Sequence, residues 1–315
     1  MSRIVATGAY YPEKIVTNDF FSAPPPESEL PPIAKFIAGM RERRHAQPHE
    51  TGIFMAVEAA RRAIDNSDFD FGDIDLILGN VVPNENLYPE DLFLIAGQLG
   101  CNNATLRPLN TACSTFLTAL QTADLFIASQ QRKLAMIVYS VNWVNTIFDK
   151  SMDISTPGDG AAAVILDNTG DSLLSYKERC DFRVFHTMNM KSPVFTHQDE
   201  YFSVTEDPQF DMIEEQVIKP ISVASELLAE HPDIEPDWFI AHQAGLPMLE
   251  TWRRQLKLSK DKLLHTFDKF ANMTATNIPV TLDHYVRSGK IKRGDKILFF
   301  APSAGAHYIS ILWKY

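Results

Sequence analysis

Residues 110–120 read NTACSTFLTAL, and residues 270–282 read FANMTATNIPVTL. In the first stretch Cys113 follows small residues and precedes Phe116, Leu117 and Leu120, the i, i+3, i+4, i+7 spacing of a helix with one apolar face. The cysteine then stands at a helix N-terminus, where unpaired backbone amides and the positive end of the macrodipole favour a thiolate. A free cysteine is also commonly a small buried hydrophobe, and this segment by itself leaves that reading open.

The second stretch is one of three that answer earlier segments in the same order. DWFIAHQAG answers DLILGNVVPN, FANMTATNIPVTL answers LNTACSTFLTAL, and DKILFFAPSAG answers KLAMIVYSVN, each at an offset of roughly 160 residues. A constant offset across several elements marks an internal duplication. Two similar α/β halves are therefore expected, residues 1–168 and 169–315, joined near Leu166 to Ser172. Loops at the carboxyl ends of the strands in both halves converge on one crevice. They deliver Cys113 from the first half, and from the second His242, ending the strand WFIAH, and Asn272.

Further elements fit this frame. Strands are expected at Arg3–Thr7, in DIDLILGNVV and in LAMIVYSVN, and helices over Thr51–Asn66 and Leu92–Leu99. A proline-rich loop covers Pro24 to Pro32, and GMRERRHA (residues 39–46) reads on charge pattern as a solvated turn. The glycines of GDGAAAVILDN precede a strand, whereas a dinucleotide fingerprint must follow one and open a helix. No Walker-type phosphate loop is present.

The formal net charge of −11 argues against a general nucleic-acid binder and against a partner held by an anionic membrane surface. Three cysteines without ligand-like spacing argue against a disulfide framework or structural zinc. The N-terminus lacks the pattern of a signal peptide, and no apolar run approaches a membrane span. A cytoplasmic protein without membrane insertion is expected.

With Cys113, His242 and Asn272 in place, the chain resembles β-ketoacyl-acyl carrier protein synthase III of the thiolase-fold superfamily. The resemblance runs through VATGAYYPEKIVTND, GMRERRHA, AVEAARRAI, ENLYPEDLFLIAGQLG, NTACSTFLTAL, GDGAAAVIL, DWFIAHQA, FANMTATNIPVTLDHYVRSGKIKRGDKIL and SAGAHYISILWKY. It implies a duplicated thiolase-like fold in five layers, α-β-α-β-α, and a homodimer. It also implies a condensing enzyme without cofactor that uses acyl-coenzyme A or acyl carrier protein thioesters. Cys113 would take the acyl group. His242 and Asn272 would hold the extender carbonyl during decarboxylation, and the backbone amides of Cys113 and Ala304 would form the oxyanion hole. Tyr88, before Pro89, matches the aromatic residue lent to a partner's acyl pocket.

The departures from the family fall on donor recognition. Ile33 and Ile37 stand where a tryptophan and an arginine sandwich the coenzyme A adenine, Gly245 replaces an asparagine, and Pro247 replaces a carrier-docking arginine. Thr115 replaces a glycine and is expected to narrow the pocket, and the region from Asn168 to about Phe202 is unlike the family's. These differences point to a specialised, secondary-metabolite member, with Arg253, Arg254 and Lys257 as a substitute basic patch or simply a solvated helix face. His307, without a recognised counterpart, reads as a proton carrier or as a polar group packed on the last strand. Two alternatives stay open: an acyltransferase passing the Cys113 acyl group to a hydroxyl or amine, and a non-catalytic subunit of a heteromeric synthase.

Overall fold

Apolar runs bounded by turn residues set the element order in this computed structural model, which describes residues 2–20, 38–144, 157–190, 202–204, 211 and 213–315. The Pro24–Pro32 loop, Ile33 and Ile37 lie outside the described residues, as does part of the region from Asn168 to Phe202. β1 (Arg3–Tyr10) is followed by the pair β2 (Lys14–Thr17) and β3 (Glu42–His45), then α1 (Gly52–Ile64), β4 (Leu76–Val82) and α2 (Asp91–Leu99). Next come β5 (Thr105–Pro108), α3 (Thr115–Ala128), β6 (Leu134–Val141) and β7 (Gly160–Asp167). The chain continues through β8 (Leu173–Cys180), the short pair β9 (Met188–Met190) and β10 (Phe202–Val204), α4 (Ser222–Glu230), β11 (Trp238–Ala241) and α5 (Leu246–Gln255). It ends with the single turn α6 (Phe267–Phe270), α7 (Asn277–Arg287), β12 (Lys296–Ser303) and β13 (His307–Lys314).

Two sheets carry the fold, ordered β1-β7-β6-β4-β5 and β8-β13-β12-β11. In the first, β4 runs parallel to β5 and β6, while β7 is antiparallel to β6 and β1. In the second, β11 runs parallel to β12, and β13 is antiparallel to β12 and β8. Register is carried over as well: Leu76 faces Ala135 in one sheet, and Trp238 faces Ile297 in the other. The counterpart of β5 shrinks to one parallel bridge between Phe239 and Leu263.

Strand alternation then dictates the layers. Ala135, Ile137 and Tyr139 of β6 face a central core with Ile297, Phe299 and Ala301 of β12, and between them lie α3 and α7. The opposite faces pack outward, Leu134, Met136 and Val138 against α1 and α2, and Leu298 and Phe300 against α4 and α5. The result is the five-layer thiolase-like α-β-α-β-α arrangement. Thr51 caps α1, its hydroxyl accepting the Phe54 N–H at 3.2 Å. Among the described residues no helix is long and apolar enough to cross a membrane.

In the outer layer, fully buried Trp252 meets Phe300 edge to face at 5.1 Å and donates its indole N–H to the Val217 carbonyl at 2.6 Å. Trp252→Ala is expected to destabilise the fold by about 3–5 kcal/mol, read by chemical denaturation.

GMRERRHA corrects the reading from charge. It is not a solvated turn: part of it forms β3, where Arg43 and His45 are buried. Arg43 donates to Asn18 Oδ1 at 3.1 Å, and the following Ala46 N–H donates to the Asp159 carboxylate at 2.9 Å. Asp159 also accepts the N–H groups of Trp143 and Val144, and burial pushes its carboxyl up to about 7. A charge pattern counts ions but cannot see partners that arrive from a distant loop.

Candidate active site

The two quoted stretches fold into matching turns. Ala112–Ser114 and Thr274–Thr276 each form one 3₁₀ turn leading into α3 and α7. In the first, the Asn110 side chain accepts from Ala112 N–H at 3.0 Å, Thr115 Oγ1 accepts from Thr111 N–H at 2.9 Å, and Ser114 sets its N–H and hydroxyl against the Thr111 carbonyl. In the second, Asn272 accepts from Thr274 N–H at 2.8 Å, Asn277 accepts from Met273 N–H at 3.1 Å, and Thr276 donates N–H and hydroxyl to the Met273 carbonyl. Each pair of residues keeps one offset, Asn110 to Asn272 through Thr115 to Asn277. Even the strained positions match, with Ala112 at φ 50° and Thr274 at φ 47°. Such backbone costs on the order of 1 kcal/mol or more for a non-glycine residue, and the side-chain bonds hold it in place.

The turns pack against each other, and the Cys113 turn also packs on β12, whose Ser303 hydroxyl donates to the Thr111 carbonyl at 2.6 Å. His242 follows directly on β11 and is anchored by its N–H to the Phe300 carbonyl at 2.9 Å. Its ring bonds the Thr274 backbone, so His242 and Asn272 share Thr274 as a neighbour. Gly158 closes the back of the Asn272 turn, donating to the Asn272 carbonyl at 3.1 Å. A Cβ there would lie 2.1 Å from the Phe270 carbonyl oxygen, which explains the glycine. Because Thr274 N–H occupies the Asn272 side-chain oxygen, the amide NH₂ is the group left to donate.

Electrostatics alter one expectation. Burial pushes the Cys113 thiol up to about 12, opposed by a hydrogen bond from its own backbone N–H. A helix terminus contributes about 0.3–2 kcal/mol and does not outweigh that burial, so the resting group is a thiol rather than a preformed thiolate. Burial likewise lowers His242 to about 4, against the opposing bond to Thr274, so the imidazole is neutral at pH 7. The pair is a neutral thiol and a neutral imidazole at rest. Among the described residues no group of three or more His, Cys, Asp and Glu is arranged to hold a metal ion.

The other expected residues divide. Thr115 is buried with its hydroxyl committed to the turn, so its polar group closes the turn instead of entering a pocket. Ala304 follows the end of β12, beside the anchored Ser303. Gly245 caps α5 and Pro247 lies in its first turn, at a surface cleft of about 440 Å³ bordered by Gly39, Leu246, Glu250 and Arg254. A separate polar cleft of about 510 Å³ beside Arg3, Asp68 and Arg293 contains none of the expected residues. Tyr88 is 95% exposed near exposed Leu87, Phe93 and Leu94, so it fills no pocket in its own chain.

The basic patch is smaller than expected. Arg253 keeps only 14% of its side chain exposed, pairing with Glu250 at 2.9 Å and bonding the Leu258 carbonyl. Lys257 lies past the end of α5 with φ 57°. Arg254, 76% exposed, is the cation that faces outward from the last turn. His307, the first residue of β13, has Ser114 Oγ at 2.8 Å on one ring nitrogen and Glu178 at 3.3 Å on the other. Sequence reasoning passed over Asn110, Ser114 and Ser303, although the constant offset already paired Asn110 with Asn272.

The geometry has matching relatives. Residues 108–181 match the family model for 3-oxoacyl-[acyl-carrier-protein (ACP)] synthase III, and residues 231–315 match its C-terminal model. A β-ketoacyl-[acyl-carrier-protein] synthase III from Actinobacillus succinogenes is 31% identical over 100% of this chain and 99% of its own. One from Histophilus somni is 32% identical with the same coverage. The crystal structure of 3-oxoacyl-[acyl-carrier-protein] synthase III from Aquifex aeolicus superposes with a TM-score of 0.87 at 25% identity, covering 100% of both chains. The priming β-ketosynthase of the R1128 polyketide pathway has the same fold, with a TM-score of 0.86 at 24% identity over 100% of this chain and 96% of its own. With the Cys113 turn, the His242 strand end and the Asn272 turn in one arrangement, and whole-length relatives above 30% identity, the chain belongs to the 3-oxoacyl-[acyl-carrier-protein] synthase III family and is a condensing enzyme.

Proposed function

We propose that the chain, as two thiolase-like halves of residues 1–168 and 169–315, joins an acyl group held on Cys113 to a malonyl-type or β-ketoacyl thioester. The supporting observation is the matched pair of turns, one presenting a thiol and the other an amide donor beside a neutral histidine. Cys113 Sγ attacks the starter thioester carbonyl, and its proton passes to the departing donor thiol. The backbone N–H groups of Cys113 and Ala304 receive the oxyanion. The malonyl thioester then loses carbon dioxide. His242 and Asn272 donate to its carbonyl oxygen, and the resulting enolate carbon attacks the Cys113 thioester, forming the carbon–carbon bond and expelling the Cys113 thiolate, which takes a proton from solvent. Neutral donors in a dry site suit an enolate, since they need no reorganisation as charge develops.

Carbon dioxide release separates this from transfer to a hydroxyl or amine. Condensation predicts release from malonyl thioester in proportion to product and dependent on a starter. Starter turnover by an alcohol or amine without carbon dioxide would instead support the acyltransferase.

The substrates in this reading are acyl-coenzyme A or acyl carrier protein thioesters, with no cofactor. Exposed Tyr88 with Leu87, Phe93 and Leu94 supports a homodimer in which Tyr88 reaches the partner's acyl pocket. The changes at Gly245 and Pro247 support a specialised donor, with exposed Arg254 and Lys257 as cations for an acidic carrier. Arg254→Glu is expected to lower kcat/KM for a carrier-bound donor by about three- to tenfold at low ionic strength and leave the coenzyme A donor unchanged. Equal effects on both donors would remove the docking role.

A further inference from the structure

We infer that His307 is a positioning residue for Cys113, a step that rests on reading Cys113 as the nucleophile. The paired turns isolate its contribution. The two turns share the bonds described above, and the Cys113 turn is in addition tied twice to the hairpin of β12 and β13. Ser303 Oγ donates to the Thr111 carbonyl at 2.6 Å, and His307 Nδ1 lies 2.8 Å from Ser114 Oγ. Among the described residues the Asn272 turn has neither. The hairpin thus fastens the turn that must aim a reacting atom, while the Asn272 turn is tied through Gly158 and the His242 ring.

Hydrogen counting sets the direction of the bond. Ser114, fully buried and adjacent to Cys113, has a single hydroxyl hydrogen with the Thr111 carbonyl at 2.7 Å and His307 Nδ1 at 2.8 Å in reach. The Glu178 carboxylate can only accept, so Nε2 of the neutral ring carries the hydrogen and Nδ1 accepts from the Ser114 hydroxyl. Glu178 of β8 holds the ring's far side, 3.3 Å from Nε2. The order Ser114, His307, Glu178 resembles a nucleophile triad, but Ser114 is fully buried and its hydroxyl does not reach a substrate. What the chain of bonds does is clamp Ser114 to the second sheet, and with it the φ 50° bend at Ala112 that presents Cys113. A nucleophile displaced by about 1 Å forfeits up to roughly 100-fold in rate.

The test is the rate at which Cys113 is acylated by a thioester and alkylated by iodoacetamide, followed by intact mass well below the melting temperature. His307→Leu is expected to slow both by about tenfold or more, whereas His307→Asn, whose amide oxygen can still accept from Ser114, recovers most of the loss even if its melting temperature matches that of the leucine variant. Unchanged rates in His307→Leu, or no recovery in His307→Asn, would overturn the positioning role. Should His307→Leu fail to fold, Glu178→Ala at the outer end of the clamp is expected to slow both reactions about threefold, and no change would count against the role. Failure of the wild-type protein to accept any acyl group would instead remove the nucleophile reading itself.

Discussion

Cys113→Ala is expected to eliminate the acyl-enzyme and reduce condensation by about 10⁴-fold or more, because in the proposed route the nucleophile and the covalent carrier are the same atom. The expectation is sharper for a thiol that burial holds at about 12, since the activation needed in the wild type is supplied by the site during attack. Cys113→Ser keeps a hydroxyl of similar size but a poorer nucleophile, and should also fall by several orders of magnitude. Single-turnover acylation and steady-state condensation should fall together. A Cys113→Ala protein that still condensed at a tenth of the wild-type rate would exclude a covalent route through this residue.

The second large effect is expected at the enolate donors. His242→Ala and Asn272→Ala should each reduce decarboxylative condensation by about 10²- to 10³-fold while leaving acylation of Cys113 within about tenfold of wild type. The double variant should lose less than the product of the single losses, because both donors serve one oxygen. His242 also sets an acid limit. Its proton affinity is depressed to about 4, so the imidazole stays neutral from pH 7 down to near pH 5 and charges only as pH approaches 4. Below the ordinary histidine range near 6.5 the unfolded chain binds the proton and the folded site resists it, so stability declines as pH falls from about 6.5 toward 4. Condensation should therefore outlast the ordinary histidine range while the protein remains folded. A loss of condensation centred near pH 6.5 with acylation unaffected would show that His242 is not held neutral.

Duplication was legible because the same physical problem was solved twice. Hydroxyls at Ser114 and Thr276 and asparagines at 110 and 272 recur at one offset, and strands such as LAMIVYSV are buried on both faces and so read as continuous apolar runs. What remained hidden depends on distance in space. Arg43 looked solvated until Asn18 and its burial in β3 were visible, and Arg253 looked available until Glu250 and the Leu258 carbonyl claimed it. The thiol at Cys113 looked activated from its place before a helix, but the surroundings that push it up are a tertiary property. The loss of a fifth strand beside β11 left only the Phe239–Leu263 bridge, too little for any periodicity to register.

Intact-protein mass spectrometry after incubation with acyl-coenzyme A and acyl-carrier thioesters tests the assignment of Cys113 most directly. One acyl group per chain, absent in Cys113→Ala and cleared by malonyl thioester with release of carbon dioxide, is the expected result. An adduct that survives in Cys113→Ala, or no adduct from any donor, would contradict it.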